Sequence, residues 1–318
     1  MKQIMNKKSE SNKSKNMKEK QTYDTFTIAT INVDGANRDL KIRRNNLIYW
    51  VTEKIKPDIL MLQEIQKETT EKWIPYLLGE DKYFKYGNVH GSENTDSAIL
   101  SKIPIISQGI IDLPKVSEKL HMVAKAPYIE TTTKNGNKSF FITTHLAWGA
   151  RNENIRLQQI QTIDTWVKEK IGDVADNNTI KVYLGGDFNA EENNSCLRYL
   201  KGEEANKQTG ESTIWTDGFK HAKLGVTPQT PYTSTNENKY AKATAQSNTR
   251  IALPYAEFLP NRRIDYIFTS GYAHGSQGTP LKAGIWGYDL QSKNHNGNHT
   301  IISDHYGVWV KVLDIKKQ

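Results

Sequence analysis

Short apolar runs recur along the chain, and polar residues interrupt each one. Phe26–Asn32, Ile59–Gln63, Ser97–Leu100, Met122–Thr131, Ser139–His145, Ile180–Leu184, Ile264–Thr269 and Gly307–Val312 are rich in Ile, Val, Phe, Tyr and Thr. Turn residues bound several of them, which predicts β-strands. Two longer stretches have a different period. Asp39–Lys56 has apolar residues at 40, 42, 47, 48, 51 and 55 and is stopped by Pro57. Asn152–Ile171 has them at 155, 157, 160, 163, 166, 167 and 171, ahead of Gly172. This spacing predicts helices. Strands interleaved with helices give an α/β class. Short links such as Lys134–Lys138 predict antiparallel pairing rather than a doubly wound parallel sheet.

Two regions lack these periods. Residues 203–260 are rich in Thr, Asn, Gln, Lys and Pro, with Trp215, Phe219, Tyr232, Tyr240 and Tyr255 scattered among them. Residues 271–303 carry Gly, His and Asn throughout. Irregular segments this long inside a domain are usually functional or partly disordered. Trp215 and Phe219 are expected to pack the first of them down.

Composition narrows the class. The chain has 318 residues, 36% apolar and 25% charged, which is ordinary globular composition. No apolar run approaches the roughly 18 residues needed to cross a bilayer, so no stable membrane association is expected. The net charge is +8, and residues 1–21, with seven lysines against two glutamates, carry five of those charges. A disordered basic tail is therefore expected over 1–22, ahead of one domain over 23–318 that is close to neutral. The tail has no apolar stretch after its charges, so it does not read as a secretory signal. The single cysteine, Cys196, allows no intrachain disulfide, and a reducing, cytoplasmic setting is expected. A monomer is expected.

Candidate chemistry clusters where the apolar runs begin or end. The sites are Ile31-Asn32-Val33-Asp34-Gly35, Leu62-Gln63-Glu64, Thr143-Thr144-His145-Leu146, Gly185-Gly186-Asp187-Phe188-Asn189, Arg263-Ile264-Asp265-Tyr266 and Ser303-Asp304-His305. Alone, each reads as a strand end or a turn. Together, carboxylates, amides and histidines at strand ends can converge on one rim of a rigid scaffold. Hard oxygen ligands such as Asp34, Glu64 and Asp304 suit Mg²⁺ (or Mn²⁺). Cys and His show no zinc spacing. Arg156, on the second predicted helix, reads as a surface charge within reach of the site.

In order and spacing these six motifs resemble the endonuclease/exonuclease/phosphatase superfamily, with its DNase I-like fold, from about Phe26 to Val312. The resemblance implies a two-sheet β-sandwich flanked by helices, with the site at one end. It implies a metal held by Glu64, with Asn32 and Asp34 lining it and Asp304 near it. His145 matches a histidine that contacts the scissile phosphate. Asp187 matches a residue near the attacking water, and Asn189 one that holds the phosphate or orients that aspartate. Asp265 matches the partner of the last histidine, His305. The implied reaction is metal-dependent phosphoester hydrolysis. Whether Asp187 or His305 takes the proton from water is open at this stage. Every catalytic position is filled, which argues against an inactive binding module.

The substrate is less legible. NVDG and LQE are similar to abasic-site endonucleases, but Asn94–Ser101 lacks the tyrosine that those enzymes place ahead of the equivalent segment. Arg262-Arg263-Ile264-Asp265 stands where inositol phosphatases have a different motif. A secreted sphingomyelinase would need an export signal, and DNase I-type secreted nucleases usually carry disulfides. A nucleic acid is the leading expectation. A phosphorylated lipid or small phosphoester is the alternative.

Overall fold

The computed structural model describes residues 23–91, 93–116, 124–173, 180–222, 231–248, 260–273, 275–288 and 301–316. The expected basic tail over 1–22 lies outside the described residues. Among the described residues, twelve strands form two six-stranded mixed sheets. The first sheet contains β1 (Asp24–Asn32), β2 (Ile59–Gln63), β3 (Tyr86–Asn88), β4 (Ala98–Ser101), β11 (Pro280–Trp286) and β12 (Gly307–Asp314), in the order β11-β12-β1-β2-β4-β3. The second contains β5 (Ile105–Asp112), β6 (Lys125–Thr132), β7 (Lys138–His145), β8 (Lys181–Asp187), β9 (Trp215–Asp217) and β10 (Asp265–Ser270), in the order β5-β6-β7-β8-β10-β9. Pairing is antiparallel except for β1 with β2 and β7 with β8.

The apolar runs are nearly continuous because both faces of the sheets are covered. Phe26 and Ile28 of β1, Met61 of β2, Phe141 of β7, Tyr183 of β8 and Ile267 of β10 meet between the sheets. The opposite faces carry the helices. Ala29 and Ile31 pack with Leu47, Trp50 and Val51 from α1 (Leu40–Tyr49) and the π-helical turn Trp50–Ile55 that continues it. On the second sheet, Ile142 and Leu184 pack under Ile160, Ile163 and Val167 of α3 (Glu153–Ile171), which lies in the chain between the short helices α2 (Ile74–Leu77) and α4 (Ser195–Leu200).

The structure departs from the apolar pattern on α1. Its buried positions are Arg43, Asn46 and Leu47 rather than Leu40 and Ile42. The fully buried Arg43 donates to the carbonyls of Val33, Asp34, Ala36, Arg38 and Ile302. A charge is tolerated there because each N–H direction finds a carbonyl oxygen. The segment over 203–260 is also more ordered than expected where it is described. It holds β9, α5 (Gly218–His221) and α6 (Lys239–Asn248). Trp215 is buried and donates to Asp164, and Phe219 packs against the inter-sheet core, so both do the packing expected of them.

One glycine fixes how β7 and β8 meet at the site. Gly186 has φ +141°, and a Cβ there would lie 2.0 Å from the Thr144 carbonyl oxygen. Gly136, in the turn between β6 and β7, also has positive φ (+82°) but open space around it. Gly186→Ala is expected to cost about 3 kcal/mol or more, since strain and a backbone clash combine. Gly136→Ala is expected to cost about 1 kcal/mol from strain alone. Urea unfolding of both variants checks this, and equal losses would contradict the close-approach argument.

Candidate active site

The strand register builds the site. His145 ends β7 and lies opposite Asp187, which ends β8. Asp187 lies in turn opposite Asp265, which begins β10. Neighbouring strands are roughly 4.8 Å apart, so three adjacent strands deliver three ionisable groups in a row. In the other sheet Asn32 ends β1 opposite Gln63, the last residue of β2, and Glu64 follows. Asp304 and His305 lie one residue ahead of β12, separated from it by Tyr306.

The sheets are tied together at this end by amides. Gln63 Nε2 donates to Thr143 Oγ1 of the opposite sheet at 2.8 Å. The fully buried Asn32 donates through Nδ2 to Glu64 Oε1 at 2.9 Å and to Asp187 Oδ2 at 3.1 Å. Its Oδ1 accepts the Asp34 N–H at 2.9 Å. Asp34, Glu64 and Asn189 have φ of +52°, +58° and +47°. Such conformations are uncommon for residues other than glycine and tend to gather where a site dictates the backbone. The turn at Glu64 brings Oε2 to the Gly35 N–H at 3.0 Å. The turn at Asn189 lets its N–H donate to Asp187 Oδ1 at 2.8 Å while its side chain donates to the Leu146 carbonyl.

Asp187 sits between two histidines. His145 Nε2 and His305 Nε2 each lie 3.7 Å from Asp187 Oδ2. The far nitrogen of each ring meets a carboxylate of its own. His305 Nδ1 is 2.9 Å from Asp265 Oδ2, and His145 Nδ1 is 2.7 Å from Asp96 Oδ2. Burial opposes charge on His145, but Asp96, Asp187 and Glu64 outweigh it and raise its pKa to about 10. His305 is likewise raised well above its ordinary value, its burial overcome by Asp265, Asp187 and Asp304. Burial pushes the Asp265 carboxyl up, and the His305 imidazolium opposes it. The surrounding carboxylates therefore favour the imidazolium form of both rings.

Asp34 and Asp304 are engaged through Arg38. Asp34 Oδ1 accepts the Ala36 N–H at 3.0 Å, and Oδ2 accepts Arg38 Nε at 2.9 Å, with Arg43 Nη2 3.7 Å away. Arg38 also donates to Thr244 Oγ1 on α6, which donates to Asp304 Oδ2 at 2.8 Å. A cavity of about 530 Å³ opens over this array and exposes Asp34, Glu64, His145, Asp187, Asn189, Asp304 and His305. Asp265 stays behind His305 and is fully buried.

A model of the endonuclease/exonuclease/phosphatase family matches residues 29–305. The chain belongs to this family. Its members are phosphoester hydrolases that generally use divalent metals. The fold is shared with solved structures of low identity. Truncated TDP2 from Caenorhabditis elegans is 19% identical, with a TM-score of 0.62 over 91% of this chain and 98% of that one. TDP2 from D. rerio, complexed with a single strand DNA product, is 19% identical, with a TM-score of 0.62 over 91% and 99%. A family protein from Bacteroides thetaiotaomicron is 16% identical, with a TM-score of 0.63 over 93% and 98%. No curated protein matches the sequence significantly.

The nine residues singled out from the sequence all reach this end of the sandwich. Asp96 was not among them, although the Asp ahead of the apolar run Ser97–Leu100 repeats the strand-end pattern of the others. Arg38 and Thr244 were missed because nothing local links positions 206 residues apart. Ser234, also in the cavity wall, was missed because it lies outside any recognised strand end, and Arg262 was read only as part of the segment that replaces the inositol-phosphatase motif. Arg156 is neither a surface charge nor a lining residue. It is buried, and Nη1 donates to the carbonyls of Ala147 and Gly149 at 2.8 Å each. The described residues include no helix long and apolar enough to cross a membrane.

Proposed function

We propose that this chain is a divalent-metal-dependent phosphodiesterase acting on nucleic acid, by in-line attack of water on phosphorus. The observation that carries the reading is Asp187 held between two histidine rings, each backed by a carboxylate. With both rings protonated, neither has a nitrogen lone pair free to take a proton. Asp187 is then the acceptor for the proton of the attacking water. Asn32 and the Asn189 N–H fix its two oxygens. His145 and His305 present N–H donors where negative charge builds on the phosphate oxygens. His305 can also return a proton to the leaving oxygen.

The acid set fits a divalent cation. Each oxygen of Glu64 accepts one hydrogen bond, which leaves lone pairs toward the cavity. Glu64 and Asp304 are hard oxygen donors of the kind that suits Mg²⁺ or Mn²⁺. We assign the metal to Glu64, with Asp304 as the second acid. Asn32 would act by orienting Glu64. Asp34, already neutralised by Arg38, lines the site. The trio Asp187, Asp265 and His305, whose candidate ligand atoms lie within 4.8 Å of one another, is a less apt cage because Asp265 and His305 already satisfy each other. When bound, the cation would supply Lewis-acid stabilisation of the charge that develops on phosphate.

Nucleic acid as the substrate is supported by the basic stretch over residues 1–21, which carries five of the eight net positive charges. It is also supported by the single strand DNA product described for the D. rerio relative. The test is a panel of supercoiled DNA, single-stranded DNA, RNA and small phosphoesters, each with Mg²⁺, with Mn²⁺ and with EDTA. Hydrolysis of a nucleic acid that stops in EDTA is the expected result, and Glu64→Ala is expected to raise the metal requirement and lower turnover. Full activity in excess EDTA would overturn the metal assignment, and preference for small phosphoesters would overturn the substrate.

A further inference from the structure

Trp148 is the one tryptophan among the seven whose side chain faces solvent. Trp50, Trp73, Trp215 and Trp286 are buried, and Trp166 and Trp309 pack against the apolar cores. Trp148 is 56% exposed and lines the cavity together with His145, three residues earlier. An indole left in water beside an ionic site exposes a large apolar face that its fold does not use.

The backbone around it is not loose. Gln159 of α3 accepts the Ala147 N–H at 3.0 Å. The buried Arg156, also on α3, donates to the carbonyls of Ala147 and Gly149. Asn152 Nδ2 donates to the Trp148 carbonyl at 2.7 Å. Gly149, with φ +88°, supplies the turn into the helix. Side chains from α3 and the turn before it thus fix the chain on both sides of Trp148, and only its ring is left uncommitted. A rigid backbone carrying an exposed flat ring is what a stacking contact requires, because little freedom is lost when the partner arrives.

We propose that Trp148 is a stacking platform for an unpaired nucleobase next to the phosphate that His145 contacts. A lipid tail fits poorly, because the surrounding wall carries Asp187, Asn189 and His305 rather than a continuous apolar surface. A base inside a duplex also fits poorly, because its neighbours already cover both of its faces. An unpaired base offers a free face, and stacking of this kind tolerates any base. The proposal takes the phosphate at His145 from the reading above, but the base contact can be measured without turnover.

The test uses the full chain in EDTA and fluorescence anisotropy of two labelled probes, a short oligothymidylate and a base-free deoxyribose phosphate oligomer of the same length. Trp148→Ala is expected to weaken oligothymidylate binding about tenfold, leave the base-free probe unchanged, and be largely rescued in Trp148→Phe. Equal loss on both probes would assign Trp148 to loop structure. No loss, or no oligothymidylate binding by the wild type, would also overturn the proposal. Wild-type turnover with Mg²⁺ is measured separately. Its absence would overturn the phosphodiesterase reading and leave the stacking result standing.

Discussion

An Asp187→Asn protein is expected to fold, bind substrate and turn it over about 10²–10⁴ times more slowly than the wild type. Asparagine has nearly the same shape. Its carbonyl oxygen can still accept the Asn32 amide or the Asn189 N–H, the bonds that position Asp187. It cannot accept the proton of water. His305→Ala is expected to lose a similar factor, because it removes the imidazolium 3.7 Å from the same oxygen and strands the buried Asp265. The two side chains meet at one Asp187 oxygen and act in the same transition state, so the double variant is expected to be little slower than the worse single one. Single-turnover rates, with melting curves recorded alongside, decide the matter. A normal rate in Asp187→Asn would remove Asp187 as the proton acceptor. Multiplicative losses in the double variant would show that the two residues serve separate steps.

The parts of this array that the sequence displayed are those carried by the strand period. A run that alternates or stays apolar and then ends in Asn32, Glu64, His145 or Asp187 places that residue on the rim, whatever the rest of the chain does. The two-sheet sandwich came from the resemblance. The residues that needed three dimensions were of another kind. Arg43 and Asn46 occupy the buried stripe of α1 because carbonyl oxygens converge there, which no hydrophobic period records. The strand β11 lay in a stretch read as irregular, since Gly284 and Lys282 dilute its apolar residues. It forms because β12 supplies a partner along its length. Arg156 looked like a solvated helix charge, yet it is buried under the loop that carries Trp148. Polar residues whose partners are distant backbone carbonyls are not legible from local pattern.

Asp96→Asn is expected to move the alkaline limb of activity down toward neutrality, with the largest loss of rate on the alkaline side. The carboxylate 2.7 Å from His145 Nδ1 is the foremost of the groups that hold the imidazolium against its burial. An asparagine in its place can still accept the Nδ1 hydrogen but brings no charge, so burial then favours the neutral ring. Because the folded pKa lies above the ordinary 6.5, the pair stabilises the fold fully below pH 6.5, and that contribution fades as pH rises through about 10. Asp96→Asn should therefore lower Tm more at pH 6 than at pH 11. Any bound cation repels the imidazolium in both proteins, so the comparison between them isolates Asp96. The measurement is kcat/KM against pH for wild type and variant at saturating metal, with Tm at both extremes. Coincident profiles would mean that protonated His145 takes no part in the transition state, and the phosphate contact would then rest on His305 alone.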